Sequence, residues 1–88
     1  MAKFLVTYDP IKRKDYPELI GVLQKFNYWH CLGSVWIIPW DGTAEELAKF
    51  LYPHIDADDK LLVVECGPDR AWTRSFPEDC KEWLRKNF

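Results

Sequence analysis

Glycine is scarce in this chain, with four residues in 88, and none of them falls in a Gly-rich phosphate-cradling loop. A generic small-molecule regulatory domain loses its usual ligand loop with that absence. Cysteine is also sparse. Cys31, Cys66 and Cys80 are odd in number and share no spacing of the metal-binding type. The only early apolar run is Phe4 to Val6, so no signal peptide is expected and the three cysteines point to a reduced, cytoplasmic compartment. No segment approaches the roughly 20 apolar residues of a membrane span, so no membrane partner is expected. Internal repeats, low-complexity tracts and flexible linkers are missing as well. The formal charge of −2 gives no general attraction to nucleic acid or anionic lipid.

Apolar and aromatic residues are abundant by contrast. Hydrophobic residues make up 48% of the chain and aromatic ones 16%, including five tryptophans. A chain of this length buries only about 60 to 65% of the surface its unfolded form exposes. So heavy an apolar load makes burial by a partner a live expectation. Charge is unevenly spread: residues 41 to 66 carry seven Asp/Glu against two Lys/Arg, and both ends are mildly basic.

Lys3 to Tyr8 is apolar, rich in β-formers and stopped by Pro10, which predicts a first strand. Asp15 and Glu18 form an acidic variant of the capping box, and Tyr16, Leu19, Ile20, Leu23 and Phe26 recur at helical spacing, predicting a helix that ends near Asn27. Gly33-Ser34 divides Trp29 to Leu32 from Val35 to Pro39, two short strands that suit a hairpin. Thr43 and Glu46 form a second capping box ahead of Ala44, Leu47, Ala48 and Leu51, and Pro53 discourages continuation of that helix. After an acidic turn at Asp56 to Asp59, Lys60 to Cys66 has the length and apolarity of a buried strand. Ser75 to Glu78 starts a last helix whose apolar face holds Cys80, Trp83, Leu84 and Phe88.

The order β-α-β-β-α-β predicts an α+β, ferredoxin-like sandwich with an additional C-terminal helix, all in one domain over residues 1–88 with its core in 2–66. Strands one, three and four are apolar on both faces, whereas a sheet covered on one side alternates more cleanly. The second face should therefore be covered by the last helix, by a second copy of the chain, or by both.

The candidate site begins at Asp9. An acid at a strand end followed by proline is an ordinary turn former, because its carboxylate bonds to nearby amides. Alternatively it offers oxygen to a hard divalent cation. Lys12, Arg13 and Lys14 form either a solvated loop or a phosphate contact beside that acid. His30 and His54 fit structural or surface roles, and Cys31, Cys66 and Cys80 fit core positions. Tyr8, Trp29, Trp36 and Trp40 fit a core or interface better than a base-stacking platform, since Val35 to Trp40 lacks the pattern of RNA-recognition strands.

"FLVTYD", the cations after it, "WHCLGSVWII" and "DKLLVVE", in this order over residues 2–66, resemble the Cas-two-like (CRISPR-associated) family and its SinR-like and VapD-like relatives. That resemblance implies a ferredoxin-like homodimer that binds or cleaves nucleic acid, in some members as a Mg²⁺-dependent endonuclease. It implies Asp9 as a metal ligand near the dimer axis, Ser34 as its strand-two serine and Arg13 as its basic residue near the acid, which with Lys12 would contact phosphate. The alternative is a non-catalytic, dimeric protein-interaction module from a phage or defence locus. With few cations and an acidic middle, any nucleic-acid binding is expected to be weak and strongly salt-dependent.

Overall fold

The computed structural model describes residues 1–9 and 16–88. Among these residues four strands form one antiparallel sheet in the order β2-β3-β1-β4, with three α-helices and a short 3-10 turn at Tyr52–His54 in addition, so the chain is of the α+β class. Strand β1, Ala2–Tyr8, lies at the centre because its alternation puts Phe4, Val6 and Tyr8 on one buried face while Leu5 and Thr7 stay half-buried on the other. It pairs with β3, Val35–Trp40, from Ala2–Trp40 to Thr7–Val35, and with β4, Leu61–Glu65, from Phe4–Glu65 to Tyr8–Leu61. The short β2, Trp29–Leu32, forms the far edge and joins β3 through Gly33-Ser34, with an irregular register between Trp29 and Leu32. Pro39 lies past the end of β2, at the rim of the sheet, where a missing donor is tolerated.

Helix α1, Pro17–Leu23, and helix α2, Ala44–Leu51, cover one face. Their apolar stripes, Leu19 with Leu23 and Leu47 with Leu51, pack on Phe4, Val6, Trp36 and Ile38, all fully or almost fully buried. The capping box expected for α2 is present: Glu46 N–H donates to Thr43 Oγ1 at 3.1 Å, and Thr43 N–H donates to Glu46 Oε1 at 2.8 Å. Gly42, one residue earlier, has φ +153°, and a Cβ there would come within 2.8 Å of Trp40 Nε1, so no larger residue fits.

Helix α1 departs from expectation at both ends. Its N-cap is Tyr16, in the left-handed region at φ 48°, with no side-chain cap, and Asp15 lies outside the described residues. Pro17 excludes the ordinary helical conformation at the residue before it, and the buried Tyr16 ring, 4.9 Å from that of Tyr8, anchors the turn that results. The helix also ends at Leu23 rather than near Asn27, because Lys25 and Phe26 bond back to Val22 and Leu23 in tighter i→i+3 turns.

The second face carries a smaller core. Helix α3, Glu78–Lys86, lays Leu84 against Trp29 and Ile37, with Cys31, Val35, Trp72, Phe76, Trp83 and Phe88 around them. Its N-cap is Pro77 without a side-chain cap, so the helix begins at the far end of the Ser75–Glu78 stretch expected to start it. The helix covers only the β2–β3 side; Leu62 and Val64 of β4 remain about half exposed. Packing α3 on β2 brings the Cα atoms of Cys31 and Cys80 to 6.4 Å, and the two are joined in a disulfide, leaving Cys66 as the free thiol. This differs from the expectation of three reduced cysteines: sequence spacing could not show a pairing across 49 residues made by tertiary packing.

Candidate site at the Asp9 end of the sheet

The sheet ladder runs one step beyond β1, where Asp9 N–H donates to Lys60 O at 3.1 Å. Asp9 is exposed and continues the register of Leu5 and Thr7, the face opposite α1 and α2. A shallow depression of about 310 Å³ lies here, lined by Thr7, Tyr8, Asp9, Lys60, Leu61 and Leu62. Lys60 and Leu61 also line a larger one of about 640 Å³ with Tyr52, Ile55, Asp56, Ala57 and Asp59. Ser34 lies at this same end, one residue beyond the Thr7–Val35 pair. Two sequence-predicted residues, Asp9 and Ser34, are therefore brought to one end of adjacent strands; Lys12 and Arg13 lie outside the described residues.

Tyr16 connects Asp9 to the acidic turn. Its hydroxyl donates to the Asp9 carbonyl at 2.9 Å and sits 3.3 Å from Asp59 Oδ1. Asp59 in turn shapes its own turn: its Oδ2 accepts from Asp56 N–H at 2.8 Å, and its N–H donates to Asp56 O at 3.1 Å. One carboxylate oxygen from each of Asp56, Asp58 and Asp59 falls within 4.8 Å of the others. An all-oxygen set of this kind suits a hard cation such as Mg²⁺ or Ca²⁺. The sequence pattern makes this run a turn and Asp9 either a turn former or a metal ligand. The hydroxyl joining them was missed, since a tyrosine at a helix start carries no such signal.

The remaining candidates resolve into structural roles. His30 stacks on Trp36 with ring centroids 3.8 Å apart and its Nδ1 is 3.0 Å from Val35 O, so packing and the backbone account for it. His54 pairs with Glu18 at 2.8 Å. Tyr8, Trp29 and Trp36 are buried, and Trp36 Nε1 donates to Tyr8 OH at 3.4 Å, so these rings are packed in the core and present no open stacking surface. Burial pushes the Cys66 thiol above its ordinary value of 9.0. No family model matches the chain, and no curated protein or solved structure matches it either. Among the described residues no helix is long and apolar enough to cross a membrane.

Proposed function

We propose that this chain is a ferredoxin-like, Cas-two-like homodimer that binds nucleic acid at the Asp9 end of its sheet, where a divalent metal assists phosphodiester hydrolysis. The observation that carries this reading is the convergence of Asp9, Ser34, Lys60 and the Asp56–Asp59 turn at one sheet end, with Tyr16 bridging the Asp9 backbone and the Asp59 carboxylate. Oxygen donors are what Mg²⁺ requires, so the residues fit that ion. Asp9 of two copies would hold it, and a bound Mg²⁺ would supply Lewis-acid stabilisation of phosphate charge. Lys60 offers a cation for a phosphate oxygen, and Lys12 and Arg13 follow Asp9 in the sequence after Pro10 and Ile11. A second copy would cover the exposed strip of Leu62 and Val64 that α3 leaves open beside Thr7.

A non-catalytic protein-interaction module is the second reading. Its specific support is the acidic turn itself, which repels a phosphate backbone arriving beside Asp9. One experiment separates the two: wild type and Asp9→Asn are assayed for cleavage of labelled RNA and DNA with Mg²⁺, and for Mg²⁺-dependent melting. The first reading expects cleavage lost in the variant with fold and dimer intact, since an amide oxygen can accept a turn bond as a carboxylate does but carries no charge. Equal cleavage by both proteins removes Asp9 from the chemistry. No cleavage by either, with a stable dimer and no Mg²⁺ effect, favours the interaction module.

A further inference from the structure

The residues from Gly67 to Phe88 are bound mostly to one another. Arg70 donates from Nε to Leu84 O at 2.6 Å, from Nη1 to Pro68 O at 2.9 Å and from Nη2 to Arg85 O at 3.3 Å, fastening the loop to the last turn of α3. Arg85 in turn pairs with Glu78 and Glu82 along the helix. Hydrogen bonds from this segment to the rest of the chain run from Trp29 Nε1 to Cys80 O at 3.1 Å and from Asn27 Nδ2 to Asn87 Oδ1 at 3.1 Å, the second exposed. Beneath it lies a cavity of about 400 Å³ between the sheet face and the segment, lined in part by Leu5, Ile37, Cys66, Trp72 and Phe88. The buried core here is Trp29, Ile37 and Leu84, against ten buried residues under α1 and α2. The covalent tie that holds this strap is the Cys31–Cys80 disulfide.

We propose that the C-terminal segment is a redox-released cover: the Cys31–Cys80 bond clamps α3 over the β2–β3 side of the sheet, and its reduction frees the segment and uncovers Trp29, Ile37 and Leu5. Cys31 and Cys80 are each half-buried rather than sealed in a core, which leaves the bond open to a small dithiol. In a reducing compartment a disulfide of this kind is characteristically transient or redox-sensing. A dithiol reductant performs the step: one thiolate attacks a sulfur of the bond, and the displaced cysteine leaves as thiolate and takes a proton. The reductant's second thiolate then closes on the first, expelling the other cysteine, which is protonated in its turn. Two electrons pass to the protein, two thiols form, and the reductant departs as a cyclic disulfide. Cys66 lines the same cavity, but its half-buried thiol ionises reluctantly and so is a poor internal attacker on the bond. Release uses neither Asp9 nor any nucleic acid, so the cover stands independently of the proposed function.

The test uses the full chain, purified without reductant, then divided and treated or not with dithiothreitol, with mass-spectrometric counting of alkylated cysteines under denaturing conditions and hydrogen exchange on the native protein. The untreated protein is expected to take one alkyl group, on Cys66, and the reduced protein three. On reduction, exchange of the 78–86 amides is expected to rise at least tenfold while β1 and β3 keep their protection. Cys80→Ser should exchange like the reduced protein at either redox state, and Cys66→Ser should leave the response unchanged. Three alkyl groups without reductant overturn the clamp. Full reduction with unchanged exchange in 78–86 overturns the release.

Discussion

Replacing Tyr16 by phenylalanine removes one oxygen and little else, which makes Tyr16→Phe the sharpest probe of how the Asp9 end is held together. The ring stays buried against Tyr8 at 4.9 Å, so apolar packing is conserved. What goes is a donor at 2.9 Å from the Asp9 carbonyl and 3.3 Å from Asp59 Oδ1. One hydroxyl proton serves one acceptor at a time, so the two distances do not count as two full bonds. A neutral bond to a carbonyl stabilises by a net ~0.5–1.5 kcal/mol. Asp9 is exposed and water can replace the lost donor, which selects the lower half of that range. With a urea slope of about 1 kcal/mol/M for a small domain, the midpoint should fall by roughly 0.5 to 1 M. Tyr16→Gly is the companion variant: it relieves left-handed strain of about 1–2 kcal/mol but loses a buried aromatic ring, for which ~3–5 kcal/mol is typical. It should therefore be less stable than both other proteins. An unchanged midpoint in Tyr16→Phe refutes the bridging hydroxyl, and a Gly variant more stable than wild type refutes the view that the ring anchors this turn.

The two cores should differ in their response to truncation: Leu47→Ala, from a fully buried site, is expected to cost about 3–4 kcal/mol, and Leu84→Ala about 2 kcal/mol because its surroundings already border a cavity. Equal losses in chemical denaturation would contradict that ranking. Thr43→Ala should cost about 1 kcal/mol by the same assay, the worth of one side of the capping box. Alkylation of Cys66 in the untreated protein should be slower at pH 8 than that of a free thiol and should keep accelerating above pH 9, since its folded pKa lies above 9.0. The hydrogen bond and charge of Arg85 hold the Glu78 carboxyl below 4.5; their stabilisation is present above pH 4.5 and is lost as pH falls through the lowered value. A carboxylate titration followed by NMR should show that midpoint rising towards 4.5 in Arg85→Ala.

Much of the fold is legible in the pattern of residues. The alternation of Phe4, Val6 and Tyr8, the Gly33-Ser34 break, the Thr43–Glu46 box and the double-sided apolarity of β1 and β3 each report a local constraint, and local constraints are what sequence displays directly; the like apolarity of β4 misleads, since it is an edge strand with Leu62 and Val64 exposed. The failures have a common cause. Tyr16 replaces an acidic cap because Pro17 restricts its backbone, and the ring finds its place only once Tyr8 lies beneath it. Cys31 and Cys80 meet only because α3 lands on β2. Asp59 and Asp9 are coupled through a hydroxyl that is remote from Asp59 in sequence. All three depend on tertiary contacts, and the two that involve Cys31–Cys80 and Asp59 join residues distant along the chain.

The prediction that both faces of the sheet are covered meets a division of the second face. Its β2–β3 side is partly covered by α3, and its β1–β4 side, with Leu62 and Val64 about half exposed, is open. Asp9 continues the register of Thr7 on that open side, so a partner seated on the strip lies next to the acid. A partner that covered Leu62 and Val64 would therefore set the environment of the Asp9 carboxylate. A second copy would bring a second acid towards the first, raising the cost of two unscreened charges and with it the demand for a cation. A different protein carrying Lys or Arg would meet the demand itself and leave no role for Mg²⁺. Replacing Leu62 or Val64 by lysine should therefore weaken self-association and any Mg²⁺ effect on melting together, as sedimentation and thermal denaturation of the same variants would reveal. Loss of one without the other would uncouple the open strip from the acid at its end.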